Sequence, residues 1–431
     1  MYIIFTVNTI MKEYTISLTA NRKSKDGSIM GKISDFREEM IKHEISSYNI
    51  YKKNPFITAC DRQVKYFDRH ELKEKVAIMF GSNSYLGLCN SPYVINKSIE
   101  CIKRLGVGSG GVPLLTGTTI VQNELENSIS KLTGFEDSIL FTSGYCANLG
   151  MVSGLLGPEN LIVHDKLNHA SLIDGTVLSG AKMLRFKHND LNHLERILKE
   201  NITKYPGGIL VVTDGVFSMD GDIANIPAIL DIVRKYECLL AIDEAHATGV
   251  IGKNGEGTLS HFNIGYSKDI ILTGCLSKAL GVVGGYISAS QEIIDYLRVY
   301  SRSNMFSTSL PPGDCASVLA SLELMGSTDI VKRLVYNSNY LREKLKNNGF
   351  NTLNSKTAII PVIIGDDLKA SLISKEALES GIIVNPIFTP AVPSNLSRLR
   401  ISVMASHTKE DMDLLVSILI DLFNKYGIQR F

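Results

Sequence analysis

Seven apolar runs alternate with helical patterns across residues 137–289, and this alternation most constrains the fold. The runs are Ser138–Thr142, Leu161–His164, Met183–Phe186, Gly208–Thr213, Leu239–Ile242, Asp269–Thr273 and Gly285–Ala289. Stretches such as Leu191–Leu198 and Ala228–Tyr236 repeat their apolar residues at helical spacing. Strands and helices that alternate in this way form a largely parallel sheet with helices on both faces. The sequence therefore predicts an α/β domain around a mostly parallel, seven-stranded sheet.

A second, smaller unit is predicted after the break at Pro311-Pro312, where a helix-rich stretch runs to about residue 349. Three strands and a closing helix follow at Ala358–Ile364, Ile382–Val384, Leu399–Val403 and Lys409–Tyr426. This pattern indicates a small C-terminal α+β domain. Near the start, apolar residues at helical spacing predict an amphipathic helix over residues 32–50. We divide the chain into an N-terminal arm and helix (1–80), a large domain (81–325) and a small C-terminal domain (326–431).

Composition narrows the classes of function. The chain has 431 residues and a net charge of +1, so no overall field favours nucleic acid or an anionic membrane. No apolar run is long enough for a transmembrane segment, and the apolar start lacks the basic region and cleavage site of a signal peptide. The 7 cysteines are scattered without a C-x-x-C pair, which favours reduced thiols and a cytoplasmic enzyme. No cluster predicts a metal site.

Three reactive side chains follow predicted strands. Asp243 comes directly after the run Leu239–Ile242, His246 lies three residues later, and Lys278 follows the run Asp269–Thr273. Catalytic groups of open α/β sheets gather at the carboxyl ends of strands. An acid, a histidine and a lysine there fit a Schiff-base site for pyridoxal phosphate, in which aspartate pairs with the pyridinium nitrogen. Taken singly, the lysine is more simply a solvated side chain. The aspartate fits a helix cap or a partner of backbone amides equally well, and the alternative for the histidine is a core residue.

Further candidates surround these three. The segment Thr142–Asn148, with Gly144 at its turn, follows a strand and opens a helical pattern, so its backbone amides could bind phosphate. His169 follows another strand and could stack on a cofactor ring or simply start a helix. Arg400 alternates with apolar residues and suits a substrate carboxylate, or is a surface residue of an edge strand. The glycine-rich stretch Gly106–Gly111 matches no nucleotide fingerprint and is interpreted as a close-approach loop near the site or as a plain flexible loop.

Taken in order along the chain, nine segments resemble the α-oxoamine synthases, pyridoxal phosphate enzymes of the fold-type I aminotransferase superfamily. They are Asn83–Leu88, Gly106–Gly111 with Thr116–Thr118, Ser143–Asn148, Asn168–Asp174, Asp214–Asp222, Asp243–His246, Ser277–Leu280, Phe306–Pro311 and Arg398–Arg400. The resemblance implies a fold-type I architecture, pyridoxal phosphate as cofactor and a homodimer.

The resemblance also implies roles at the matching positions. Lys278 would carry the Schiff base and act as the base, Asp243 would pair with the pyridine nitrogen, and His169 would assist catalysis. The other implied contacts are His246 and Ser218 near the ring oxygen, His169 and Ala245 on the two ring faces, Gly144 and Tyr145 at the phosphate, Thr308 reaching the phosphate from the other subunit, and Arg400 with Asn83 at the amino-acid carboxylate.

Enzymes of this family join a small α-amino acid (serine, alanine or glycine) to an acyl thioester of coenzyme A or a carrier protein, usually with loss of CO₂. The apolar stretch Val112–Leu115 favours a serine palmitoyltransferase-like enzyme. An 8-amino-7-oxononanoate synthase or a glycine C-acetyltransferase is the alternative. Three departures from the family pattern are Cys275 in place of threonine, Val112–Leu115 in place of a polar stretch, and Phe388 in place of an arginine. An aminotransferase and a non-catalytic partner subunit are the candidates from other classes.

Overall fold

The computed structural model describes residues 27–42, 54–69 and 71–430. Its first elements are helix α1 (Ile29–Lys42) and an antiparallel pair of strands, β1 (Gln63–Asp68) and β2 (Lys73–Met79). Helix α1 begins three residues before the predicted one, and residues 43–50 of that prediction lie outside the described residues. The β1–β2 hairpin was not predicted from the sequence, because only a few of its residues alternate between buried and exposed positions.

The seven predicted strands of the large sheet are all present. They are β3 (Asp137–Phe141), β4 (Leu161–Asp165), β5 (Lys182–Phe186), β6 (Ile209–Asp214), β7 (Leu239–Asp243), β8 (Ile270–Cys275) and β9 (Gly285–Ala289). Their order across the sheet is β3-β9-β8-β7-β6-β4-β5. Strand β9 is antiparallel to both of its neighbours, while the pairs from β8 to β5 are parallel. The prediction of a mostly parallel sheet is therefore confirmed.

Helices cover both faces of this sheet. They are α2 (Pro92–Leu105), α3 (Ile120–Thr133), α4 (Gly144–Leu155), α5 (Ala170–Ser179), α6 (Leu191–Asn201), α7 (Ile226–Lys235), α8 (Thr258–His261), α9 (Gln291–Tyr300), α10 (Arg302–Met305) and α11 (Pro312–Ser327). Alternate residues of β6 enter different apolar cores: Ile209 and Val211 join one, and Leu210 and Val212 join the other. Burial on both faces explains why these strands read as continuous apolar runs.

The C-terminal part adds a small sheet and its helices. Its elements are α12 (Ile330–Asn347), β10 (Ile359–Ile363), α13 (Asp367–Glu379), β11 (Ile382–Ile383), β12 (Asn385–Ile387), β13 (Arg398–Ser402) and α14 (Lys409–Lys425). Strand β13 lies between β10 and β12 and is antiparallel to both. Strand β11 instead pairs in parallel with β2, through Ile382 with Ile78 and Ile383 with Met79. The domain boundaries at residues 80 and 325 remain a proposal.

No helix in the described ranges has the length and apolar character needed to cross a membrane. The parallel strands instead organise the molecule around one edge of the large sheet. Their register places Asp214 of β6 beside Asp243 of β7, and Asp243 beside Thr273 of β8. Asp214 and Asp243 end their strands and Thr273 lies two residues before the end of β8, so three polar side chains stand next to one another near the carboxyl edge of the sheet.

Candidate active site

The two aspartates at this edge are almost fully buried. Asp243 is 6% exposed and Asp214 is 3% exposed. Burial, together with the negative charge of Asp243, raises the pKa of Asp214 well above its usual value. Asp214 follows the predicted strand Gly208–Thr213 just as Asp243 follows its own, so strand position could have identified it as a candidate. Sequence reasoning assigned it no role.

Hydrogen bonds fix the carboxylate of Asp243 in one orientation. Its Oδ2 accepts a bond from Asn148 Nδ2 at 2.7 Å, and its Oδ1 accepts from the backbone amide of Ala245 at 2.9 Å. Asn148 itself accepts from Thr273 Oγ1 at 2.7 Å and donates to Ser171 Oγ at 2.8 Å. A buried carboxylate held in this way is oriented for one specific cationic partner. Asn148, Ser171 and Thr273 were not predicted as site residues, although Asn148 ends one of the family-like segments.

A second network joins His246 to Arg400 through Tyr85. The ring nitrogen Nδ1 of His246 lies 2.7 Å from the hydroxyl of Tyr85, and Arg400 Nη2 donates to that hydroxyl at 3.4 Å. Arg400 also donates through Nη1 to Asn83 Oδ1 at 3.0 Å and through Nε to the carbonyl of Ser218 at 2.6 Å. The structure thus brings together His246, Asn83, Ser218 and Arg400, and adds Tyr85, which was not predicted.

The protonation of this network follows from burial. Loss of water lowers the pKa of His246 well below its usual value, and the charges of Lys278 and Arg400 lower it further. Burial also raises the pKa of Tyr85 to about 12. His246 is therefore a neutral imidazole. The Tyr85 hydroxyl accepts from Arg400 and lies near two acceptors, Nδ1 of His246 at 2.7 Å and Oδ1 of Asn83 at 3.4 Å.

Lys278 lies in the turn after β8 and is half-buried. Its charge acts on His246 and on Asp214, so the amine lies within electrostatic reach of both networks. The carbonyl of Lys278 accepts the backbone amide of Gly281 at 3.1 Å, which closes the turn. The positive φ of Gly281, 80°, favours glycine at this position.

The start of helix α4 lies directly against the strand that precedes the lysine. Ser143 caps the helix by accepting from the amide of Cys146 at 3.1 Å. A Cβ on Gly144 would lie 2.7 Å from the Cβ of Cys275, so only glycine fits there. Cys275 is buried, and its thiol contacts the carbonyl of Ala245 at 3.6 Å. The backbone amides of a helix start and the lysine turn are therefore close neighbours.

His169 and Tyr145 line the solvent side of the same region. His169 is exposed and caps helix α5, with Nδ1 2.7 Å from Ser171 Oγ. Its backbone amide donates to Asp214 at 3.3 Å. The ring of Tyr145 packs edge-on to that of His169 at a centroid distance of 6.4 Å, and its hydroxyl donates to Asp174. Since Ser171 also bonds Asn148, the His169 ring is linked to Asp243 through two side chains.

Thr308 lies apart from these two networks. It is exposed and, with Pro113, Leu114 and Thr142, lines a cavity of about 270 Å³. The loop that carries Thr308 is bound to the glycine-rich loop, because Ser309 donates its amide to the carbonyl of Gly111 at 3.0 Å. Within one chain, therefore, Thr308 borders the start of helix α4 through Thr142 and does not join the Asp243 or His246 networks.

One cluster away from this region has side chains of metal-ligand type. Ligand atoms of His188, Asp220 and Asp222 lie within 4.8 Å of one another. Both ring nitrogens of His188 are already bonded, however, to Asp165 at 3.0 Å and to Asp222 at 2.9 Å. The prediction that the chain has no metal site remains a prediction.

Comparisons with known proteins extend over most of the chain. The family model for aminotransferase class I and II matches residues 75–419. An 8-amino-7-oxononanoate synthase of Thermoanaerobacter pseudethanolicus is 39% identical over 396 residues, which cover 92% of this chain and 97% of that protein. A serine palmitoyltransferase of Sphingobacterium spiritivorum is 37% identical over 407 residues, covering 94% of this chain and 98% of the relative.

Solved structures give the same result. The serine palmitoyltransferase of Sphingomonas wittichii superposes with a TM-score of 0.83 at 29% identity, over 92% of this chain and 97% of that one. A serine palmitoyltransferase from S. paucimobilis, solved with PLP bound, superposes with a TM-score of 0.84 at 27% identity, over 93% of this chain and 100% of the other. The fold-type I architecture predicted from the sequence is confirmed.

Proposed function

We propose that this chain, which belongs to the aminotransferase class I and II family, is an α-oxoamine synthase with pyridoxal phosphate as its cofactor. It condenses a small α-amino acid with an acyl thioester, usually with decarboxylation, and the product is an α-amino ketone. The relatives named 8-amino-7-oxononanoate synthase and serine palmitoyltransferase, each matched over nearly its whole length, support this reaction class.

The residues at the sheet edge fit pyridoxal phosphate. Asp243 offers a fixed, buried carboxylate, Lys278 offers a half-buried amine, and Gly144 leaves the amides at the start of helix α4 free of a side chain. When bound, pyridoxal phosphate supplies an aldehyde for an amino group and a ring that withdraws electrons from the α-carbon. In the proposal Asp243 pairs with the ring nitrogen and keeps it protonated.

The remaining side chains position the cofactor and move protons. In the proposal His246, with Ser218, faces the ring oxygen, while His169 and Ala245 cover the two ring faces. Gly144 and Tyr145 bind the phosphate, and Thr308 reaches the phosphate of the other subunit. The amine of Lys278 removes the α-proton of the amino acid.

The environment of Arg400 is the observation that supports an amino-acid substrate. It is 6% exposed, and within the described ranges no carboxylate forms a salt bridge with its guanidinium. A buried cation without an anionic partner is costly unless a ligand supplies the negative charge. The bonds to Ser218, Asn83 and Tyr85 orient the guanidinium. In the proposal, Arg400 binds the carboxylate of the amino acid, and Asn83 keeps it in place.

A long acyl chain is the favoured second substrate, delivered on coenzyme A or a carrier protein. Leu114 lines the cavity beside Thr308, and Leu114 and Leu115 are 58% and 78% exposed. Exposed leucines near a catalytic region suit an aliphatic chain. A serine palmitoyltransferase-like reaction is therefore proposed first. The slightly higher identity to an 8-amino-7-oxononanoate synthase supports that enzyme as the second candidate.

A homodimer in the cytoplasm completes the proposal. Val107, Leu114, Leu115 and Phe306 project exposed apolar side chains from two loops that are bonded together through Ser309. Several exposed apolar side chains on two neighbouring loops support a protein interface. All seven cysteines are free thiols, which supports a reducing compartment.

The deciding experiment measures thioester consumption and CO₂ release by the purified enzyme with serine, alanine or glycine and acyl thioesters of increasing length. We expect condensation, with an absorbance band that borohydride bleaches while attaching the cofactor to Lys278. The Lys278→Ala variant should lose both the attachment and the activity. Transfer to a keto acid without thioester consumption would instead identify an aminotransferase. Full activity of Lys278→Ala would overturn the role of the lysine.

A further inference from the structure

Two of the scattered cysteines meet beside the candidate active site. The thiol of Cys89 lies 3.1 Å from the carbonyl oxygen of Cys60, although 29 residues separate them in the chain. Each thiol also shifts the pKa of the other, so the two groups lie within interacting distance. Both residues are partly exposed, whereas Cys101, Cys238, Cys275 and Cys315 are buried. A small oxidant from solution can therefore reach this pair.

The surroundings of the pair favour a reactive thiolate. Cys60 donates to Ser82 Oγ at 3.0 Å, and Cys89 lies 3.1 Å from Ser84 Oγ. Interaction with the Cys89 thiol, and to a smaller extent with Ser82, lowers the pKa of Cys60 to about 6 despite partial burial. The pKa of Cys89 is raised by its bond to Cys60 and by burial. The thiolate is the nucleophilic form of cysteine, so Cys60 is the attacking member and Cys89 the resolving one.

The cysteine pair also lies next to two parts of the candidate active site, the Asn83–Arg400 contact and the turn that contains Lys278. Ser82 and Ser84 flank Asn83, which orients Arg400. On the other side, Gly281 closes the turn that contains Lys278, and a Cβ on Gly281 would lie 2.8 Å from the backbone nitrogen of Cys89. Movement of Cys89 or of the two serines would therefore be transmitted to Asn83 and to the lysine turn.

We propose that Cys60 and Cys89 are a redox-active pair that closes to a disulfide and weakens amino-acid binding. A hydroperoxide of general form ROOH is the oxidant. The Cys60 thiolate attacks the O–O bond, which breaks and leaves as ROH after taking up a proton, and Cys60 becomes a sulfenic acid. The Cys89 thiol attacks that sulfur, the S–S bond forms and water leaves. Two electrons pass from the thiols to the peroxide, and a dithiol reverses the reaction by exchange.

The disulfide removes the thiols that bond Ser82 and Ser84. We take its effect on substrate binding to equal the loss of about one hydrogen bond at Asn83. We expect the KM for the amino acid to rise about two- to tenfold with little change in kcat. This kinetic consequence rests on the proposed function, whereas formation of the bond does not.

The test treats the reduced holoenzyme with hydrogen peroxide at near-stoichiometric amounts and counts free thiols, followed by peptide mapping. A loss of two thiols per chain, a peptide joining Cys60 to Cys89, and recovery with dithiothreitol support the proposal. Oxidation at other cysteines, or a sulfinic acid on Cys60 without the cross-link, overturns it. Because the mapping uses the wild-type chain and no activity readout, it also stands if the proposed reaction is wrong.

Kinetics before and after oxidation test the coupling to the site. The rise in KM should be absent in Cys60→Ser and in Cys89→Ser, and it should remain in the control Cys238→Ala, which removes a thiol elsewhere in the chain. A disulfide that forms without changing the KM would overturn the effect on substrate binding. A reduced enzyme that condenses no amino acid would instead count against the proposed function alone.

Discussion

Two buried arginines of strand β13 differ in whether a carboxylate of the protein neutralises their charge. Arg398 is 2% exposed and forms a salt bridge with Asp220. Arg400, two residues later on the same strand, is similarly buried but bonds only neutral oxygens among its described neighbours. The charge of Arg398 is thus neutralised inside the protein, while that of Arg400 is available to a ligand.

Replacing Arg400 with lysine keeps the charge but removes the forked donor geometry. We expect the Arg400→Lys variant to raise the KM for the amino acid by roughly 10- to 100-fold, the scale of one or two charge-assisted hydrogen bonds. The matched variant Arg398→Lys should lower the thermal midpoint and leave the KM nearly unchanged. Steady-state kinetics and thermal unfolding of both variants provide the measurement. An unchanged KM in Arg400→Lys would argue against carboxylate binding there.

Glu244 predicts a pH dependence of stability. It is 1% exposed, accepts the backbone amide of Thr258 at 2.8 Å, and has a pKa raised to about 7, chiefly by burial. The unfolded carboxyl ionises near 4.5, so the folded state holds an extra proton between pH 4.5 and 7. The contribution of Glu244 to the free energy of unfolding is therefore fully present below about pH 4.5 and is lost as the pH rises to 7.

The Glu244→Gln variant keeps the acceptor oxygen and cannot ionise. We expect it to be more stable than the wild type at pH 8, by about 3 kcal/mol, with the advantage disappearing toward pH 4.5. Urea unfolding at several pH values gives the comparison. Equal stability of the two proteins at pH 8 would show that Glu244 ionises in the folded state without cost.

Site residues at strand ends were predictable, and residues that act through side-chain networks were not. Asp243 and His246 follow an apolar run directly, so their position at the sheet edge can be read from local sequence. Asn148 meets Asp243 across 95 residues, and Tyr85 meets His246 across 161. Such contacts depend on how distant elements pack, which no local pattern encodes. The roles assigned to the site residues remain predictions.

At the scale of elements, the strands of the large sheet were predicted well, but the pairing of a short edge strand was not. The runs that became β3 to β9 agree with the observed strands within two residues at each end. The predicted strand Ile382–Val384 exists as β11, but its partner is β2 of the N-terminal hairpin rather than the C-terminal sheet. The pairing of so short a strand depends on which distant edge is available, because few of its residues specify a register.

His188 ties the edge strands together and predicts a second pH effect. It follows β5 and bonds Asp165 at the end of β4 and Asp222 in the loop after β6. Burial alone would lower its pKa, but the two carboxylates raise the pKa to about 10. This group therefore stabilises the fold fully below about pH 6.5, the unfolded value, and its contribution is lost as the pH rises to 10.

The His188→Gln variant should unfold more easily than the wild type at pH 6, by about 2 kcal/mol, since two hydrogen bonds to charged groups are weakened. The difference should shrink steadily toward pH 10. Chemical unfolding at pH 6, 8 and 10 measures the difference in free energy of unfolding between the two proteins and how this difference changes with pH. A difference that grows with pH would mean that His188 is neutral in the folded protein.

At the scale of the molecule, the proposed dimer depends on the exposed apolar side chains around Leu115. Leu115 is 78% exposed in the loop beside the cavity that Thr308 lines. We expect the Leu115→Glu variant to shift toward monomer and to lose most activity, because a charge in an apolar interface is not solvated. The control Leu72→Glu changes a leucine of similar exposure, 74%, in the β1–β2 turn. Sedimentation of both variants measures their oligomeric state. An intact dimer in Leu115→Glu would count against this interface.

The pairing of β11 with β2 has a consequence for how the chain is made. Ile78 emerges from the ribosome about 300 residues before its partner Ile382. At ordinary translation speeds the β1–β2 hairpin waits roughly 15–60 s with one edge unpaired. During that interval its inner edge is open to other nascent chains. Synthesis of β11 thus completes a sheet whose other strands were made about 300 residues earlier, and slow or interrupted synthesis between the two should cause aggregation through this hairpin.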